Sequence, residues 1–74
     1  MEDIRVFVDE QPVVVPVGST VRDAITRHDP GAANRLDSSR ALVTDGRGLP
    51  LAPDAAVRVG DILRVVTARR RAGE

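Results

Sequence analysis

Two short stretches of strict alternation open the chain. Ile4, Val6 and Val8 alternate with Arg5 and Phe7, and Val13, Val15 and Val17 alternate with Val14 and Pro16. A period of two on both sides of Asp9-Glu10-Gln11 predicts two strands of a hairpin. Pro12 and Pro16 have no ladder donor, so the second strand is expected at a sheet edge with its prolines turned outward. The period then changes. After Gly18, Val21, Ala24, Ile25 and His28 fall at i, i+3, i+4 and i+7, with Thr20 as cap and Asp23 at the reciprocal position, which predicts a helix over Ser19 to His28.

Asp29-Pro30 should stop that helix, because proline disfavours a helical residue before it. Asp29 could also cap a short further turn through Pro30, Gly31, Ala32 and Ala33, so a loop with one helical turn is expected there. Ala41 to Thr44 reads as a third strand. Asp45-Gly46 supplies a tight turn, and Gly48 to Leu51 returns as a short, proline-bearing edge strand. An irregular stretch from Pro53 to Val59 leads to a Gly60-Asp61 turn. Ile62 to Ala68 is then the most apolar strand and the one expected at the sheet centre.

Composition narrows the chemistry. With 74 residues the chain makes one domain, and a domain of that size buries only roughly 60% of the surface its unfolded chain exposes. Phe7 is the only aromatic, so the core must be aliphatic and cofactor stacking is poorly provided for. The absence of Cys removes disulfides, iron-sulfur clusters, thiolate zinc sites and a cysteine nucleophile, and a reducing cytoplasm is the expected compartment. Glu2 and Asp3 precede a first apolar run too short to span a bilayer, so neither a signal peptide nor a membrane partner is expected.

Formal charge is zero, yet acids gather near the start at Glu2, Asp3, Asp9 and Glu10, and Arg64, Arg69, Arg70 and Arg71 lie near the other end. All 11 basic residues are Arg, leaving no lysine for a Schiff base or an isopeptide acceptor.

The order of VGSTVRDAI, DGRG and VGDILRVV between an alternating strand pair and an arginine-rich tail is similar to the ubiquitin-like β-grasp family. Length and the GSTV and GDIL segments most resemble the sulfur-carrier proteins of thiamine and molybdopterin synthesis. The resemblance spans almost the whole chain. It implies an α+β fold: a mixed sheet of four to five strands, with one main helix packed across one face and the first and last strands paired in parallel at the centre. It also implies a β-grasp domain over residues 1–68 and a flexible tail over 69–74.

In that family the carrier chemistry resides in a tail ending in two glycines, whose carboxylate is adenylated by a partner enzyme. Glycine suits a tail that must thread a narrow path in conformations where a Cβ would collide. Here the tail reads Arg69-Arg70-Arg71-Ala72-Gly73-Glu74, so Ala stands at the first glycine and a charged residue follows the second. Removal of Glu74 would leave an Ala-Gly terminus and partly restore the pattern. A carrier or modifier activated by an adenylating enzyme is therefore the alternative reading, and without lysine such a modifier could not build lysine-linked chains on itself. The arginine run also has two plainer readings, a solvated charge run and a partner-docking tail. A neutral domain with one aromatic argues against nucleic acid.

No catalytic set emerges, and an enzyme is not expected. Ser19, Ser38 and Ser39 stand where caps and turns need hydroxyls, and Asp45 and Asp61 are turn formers beside glycine. His28 suits a helix C-terminus and has no second His or Cys with which to hold a metal. Gly46-Arg47-Gly48 is a hairpin turn by context, with no following helix to hold a phosphate. No cofactor is implied.

Surface recognition remains. If Ile4, Val6 and Val8 face the helix, Arg5 and Phe7 face outward, and Leu63 and Val65 facing inward put Ile62, Arg64 and Val66 outward. Phe7, Ile62 and Val66, rimmed by Arg5 and Arg64, then form an apolar patch suited to a protein partner. Two readings compete with it: the loop from Asp29 to Ser39 folds over that face, or single exposed apolar residues have no role.

Overall fold

The computed structural model of the chain describes residues 2–67. Its elements run β1 (Asp3–Val8), β2 (Gln11–Pro16), α1 (Val21–His28), α2 (Pro30–Asp37), β3 (Ala41–Thr44), β4 (Pro50–Leu51) and β5 (Ile62–Thr67). The five strands form one mixed sheet in the order β2-β1-β5-β3-β4, an α+β arrangement with both helices on one side. β1 pairs antiparallel with β2 and parallel with β5, and β5 pairs antiparallel with β3. The alternation of β1 and β2 sets the register. Ile4 lies opposite Val15 and Val6 opposite Val13, which places aliphatic residues against each other on the inward face, while Val8 lies opposite Gln11 beside the turn.

The hairpin closes through Asp9 and Glu10, both with positive φ, at 50° and 71°. That pair of left-handed residues matches the twist of the flanking strands, at the strain cost of using two side-chain-bearing residues where glycine is preferred. Asp9 supplies a compensation. Its Oδ1 accepts from the Val65 amide at 3.1 Å, on the flank of β5 that β1 no longer covers. Pro12 and Pro16 lie on β2, which forms one margin of the sheet, and β5 is the central strand.

Thr20 caps α1 in both directions. Its hydroxyl accepts from the Asp23 amide at 3.1 Å, and the Asp23 carboxylate accepts from the Thr20 amide at 3.0 Å. The helix therefore begins at Val21, with Ser19 outside it. Asp29 both ends this helix and starts the next. Its amide donates to the Ile25 carbonyl at 2.7 Å, and its Oδ1 accepts from Gly31 at 3.0 Å.

The segment after Asp29 is a second helix of eight residues, equal in length to the first, where one main helix and a loop with a single turn were expected. Pro30 ends one helix but occupies the first turn of the other, where its missing N–H costs nothing and its φ is already helical. Ala32, Ala33 and Leu36 then supply the inward face. Smaller differences lie at strand ends: β2 stops before Val17, and β4 is only Pro50–Leu51 because Gly48 and Leu49 remain in the turn. Ala68, the expected end of the last strand, and the tail over 69–74 lie outside the described residues.

The core lies between the sheet and the two helices. Val6, Val8, Ala24, Ile25 and Leu63 are fully buried, with Val43, Val21, Val15, Ala32 and Ala33 around them. Outside the core, Arg22 of α1 grips Asp37 of α2 through two hydrogen bonds, Nε to Oδ1 at 2.9 Å and Nη2 to Oδ2 at 2.6 Å. Those bonds hold the Asp37 carboxyl below, and the Arg22 guanidinium above, their ordinary values.

Candidate functional site

Because both helices pack on one side, the other face of the sheet is left to its own side chains. Its composition follows from strand parity. Arg5 and Phe7 come from β1, Val14 from β2, Ile62, Arg64 and Val66 from β5, and Leu42 from β3. α2 does not fold over them, since Ala32 and Ala33 are buried with Val43 and Ile25 on the opposite side.

The centre is set by the parallel pairing, in which Phe7 lies in register with Ile62. Main-chain bonds from the flanking residues extend this pairing. Phe7 N donates to Asp61 O at 2.9 Å, Gly60 N to Arg5 O at 2.8 Å, and Asp9 N to Leu63 O at 2.9 Å. Phe7 is half-buried and Ile62 is 46% exposed. Two shallow hollows flank the Phe7 ring. One, of about 350 Å³, is bounded by Ile62, Glu10 and Arg64; the other, of about 500 Å³, by Arg5, Val14 and Val59. Arg5 and Arg64 thus stand on opposite sides of the ring, and among the described residues neither is in an ion pair.

Val66 stands apart from this group. It lies four residues beyond Ile62 on β5, about 13 Å at strand rise, with Arg64 between them. Its neighbour is Leu42, directly opposite on β3, and the two are 43% and 45% exposed. The outer face therefore carries two apolar spots separated by an arginine, where parity alone suggested one patch. Val14 and Leu42 belong to it and were legible in principle, because each alternates with inward neighbours, Val13 and Val15 or Ala41 and Val43.

Arg69, Arg70, Arg71, Ala72 and Gly73, the candidate tail site, lie outside the described residues. His28 closes α1, half-buried, and among the described residues no three His, Asp or Glu side chains gather into a metal-binding group. Ser19 Oγ donates to the Pro16 carbonyl at 2.6 Å, and Ser38 Oγ to the Asn34 carbonyl at 3.0 Å. Both hydroxyls serve local turns. Asp45 organises the β3–β4 turn: its Oδ1 accepts from Arg47 N at 2.8 Å and Leu49 N at 3.0 Å. The amides of Leu49 and Arg47 hold this carboxyl below its ordinary value. Among the described residues no helix is long and apolar enough to cross a membrane.

Comparison of the chain with family models, with curated proteins and with solved structures found no match.

Proposed function

We propose that the chain is a ubiquitin-like β-grasp domain and acts as a small non-enzymatic module that docks a protein partner on its exposed sheet face. The fold reading is supported by the β2-β1-β5-β3-β4 order with the first and last strands parallel at its centre, and by helices confined to one side. The observation that carries the function is the outer face itself. Val14, Leu42, Ile62 and Val66 are exposed and Phe7 is half-buried, beside two arginines without ion-pair partners among the described residues. Aromatic and aliphatic side chains with arginine and without lysine are the composition of interface cores. The partner it fits presents aliphatic side chains to the two apolar spots and carboxylates to Arg5 and Arg64, where shielding from water makes each charge-assisted bond stronger.

The test is quantitative capture from the source cell with three variants, each first checked for folding by circular dichroism. Phe7→Ala and Val66→Asp should each reduce partner recovery at least tenfold, and removal of residues 69–74 should weaken it modestly and in a salt-dependent way. If removal of the tail alone abolishes every partner, and an adenylating enzyme is among those lost, the tail-activated carrier reading replaces this one.

A further inference from the structure

Asp45 is the only aspartate of the chain that is followed by glycine. In such a pair the amide nitrogen of the second residue can attack the carboxyl carbon of the first, and glycine leaves that approach open because it has no Cβ to crowd the nitrogen. The fold does not call for glycine at this place. Gly18, Gly48 and Gly60 have positive φ, whereas Gly46 does not, and a Cβ on Gly46 would meet nothing closer than the Ile62 side chain at 3.5 Å, ordinary van der Waals contact. Gly46 is exposed to solvent, and its amide donates to no acceptor among the described residues.

The electrophile is held. Asp45 Oδ1 accepts from Arg47 N at 2.8 Å and from Leu49 N at 3.0 Å. The Asp45 amide donates to the Leu49 carbonyl at 2.8 Å, and the Asp45 carbonyl accepts from Gly48 N at 3.1 Å. The Leu49 and Arg47 amides favour the ionised carboxyl, and a carboxylate resists attack where the protonated acid does not. Closing a ring onto Gly46 N would discharge the acceptor that both amides share, so the intact turn opposes it.

We propose that Asp45-Gly46 is a covalent modification site, silent in the closed β3–β4 turn and converted to isoaspartate when the turn opens. Gly46 N bonds to Asp45 Cγ, and the carboxyl OH leaves with the Gly46 amide proton as water, giving a cyclic imide. Water then opens the imide. Breaking the bond from Gly46 N to Cγ restores aspartate; breaking the bond from Gly46 N to the main-chain carbonyl carbon leaves Gly46 joined through Cγ, an isoaspartyl linkage. The net change is an isomerisation, with water as the only co-reactant. The product has an extra carbon in the main chain and a carboxylate where the Asp45 carbonyl stood. It therefore cannot reproduce the bonds that join Asp45 to Gly48 and Leu49 and set Thr44 opposite Pro50.

The test is incubation of the full chain at neutral pH, folded in buffer and unfolded in guanidinium chloride, with isoaspartate at each aspartate quantified by peptide separation and electron-transfer fragmentation. Isoaspartate at position 45 should accumulate at least about tenfold faster in the unfolded chain than in the folded one, the factor reporting how seldom the turn opens. Gly46→Ala, which the turn has room for, should slow the reaction of the unfolded chain by about tenfold or more. Equal rates in the folded and unfolded chain overturn the proposal, as does isoaspartate forming at Asp37, before Ser38, in preference to Asp45. The Gly46→Ala comparison is made in denaturant, so it decides the part played by glycine even if that variant folds poorly.

Discussion

Replacing Ile25 by Ala tests the packing on which every other reading depends. Ile25 is fully buried in α1, within the core cluster that contains Leu63 and Val6 of the central strands. The change removes three carbons, worth about 2.4 kcal/mol at roughly 0.8 kcal/mol per buried methylene. A residual cavity adds about 24 cal/mol per Å³ wherever the neighbours fail to close in. These neighbours cannot close far, since Val6, Val8 and Leu63 are held in sheet register and Ala24 has little to move. A loss of about 3 to 4 kcal/mol follows. For 74 residues at about 0.05–0.15 kcal/mol each, total stability is on the order of 4 to 11 kcal/mol, so this substitution takes a large share. Urea denaturation followed by circular dichroism reads it directly. With a slope near 1 kcal/mol per molar, expected for a small domain, the midpoint should fall by about 3 M. Leu42→Ala, on the open face, should change stability by less than about 1 kcal/mol. An Ile25→Ala loss below 1 kcal/mol, or a loss equal to that of Leu42→Ala, would show that α1 does not pack as described.

Thr20→Ala should cost about 1 kcal/mol, read in the same denaturation experiment, because it leaves the Asp23 amide without its acceptor; an unchanged midpoint would refute the cap. Glu10→Gly should stabilise the domain by roughly 0.5 kcal/mol, the relief of a left-handed residue at φ 71° less the entropy glycine adds to the unfolded chain, whereas Glu10→Val should destabilise it. Asp45 has a folded pKa below its ordinary 3.8, so its contribution is complete above that value and disappears as pH falls through the lower folded one. Asp45→Asn should accordingly flatten the acid side of the melting-temperature profile, and an unaltered profile would mean that the turn does not depend on the charge.

How much of this was legible in the sequence depended on whether the signal was local. The β1–β2 register follows from alternation, the α1 cap from Thr20 and Asp23 three residues apart, and the central place of β5 from its run of apolar residues. The length of α2 is weakly signalled, because Pro30 marks the end of α1 as readily as the start of a new helix, and its apolar residues Ala32, Ala33 and Leu36 are small or half-buried and give a weak periodic signal. The outer face needed information the sequence does not hold locally. Parity places Phe7, Ile62 and Val66 on one side, but only the pairing of β1 with β5 and of β5 with β3 separates Phe7–Ile62 from Leu42–Val66.

The two open surfaces are also unequal in what folding requires of them. A sheet covered on one side needs inward aliphatic residues at Val6, Val43 and Leu63, but outward positions contribute to pairing as well with Thr as with Ile or Val. Leu42, Ile62 and Val66 are therefore not demanded by the core, and leaving them outward exposes apolar surface in a domain too small to gain from it. The sheet margins run the other way. Pro12 and Pro16 remove donors from the β2 margin, and β4 is two residues long and contains Pro50, so addition of a foreign strand is blunted at both ends. With edge pairing blunted and apolar side chains on the open face, the proposed docking would run through side-chain contacts, and the arginines beside the apolar spots would favour surfaces carrying opposite charge.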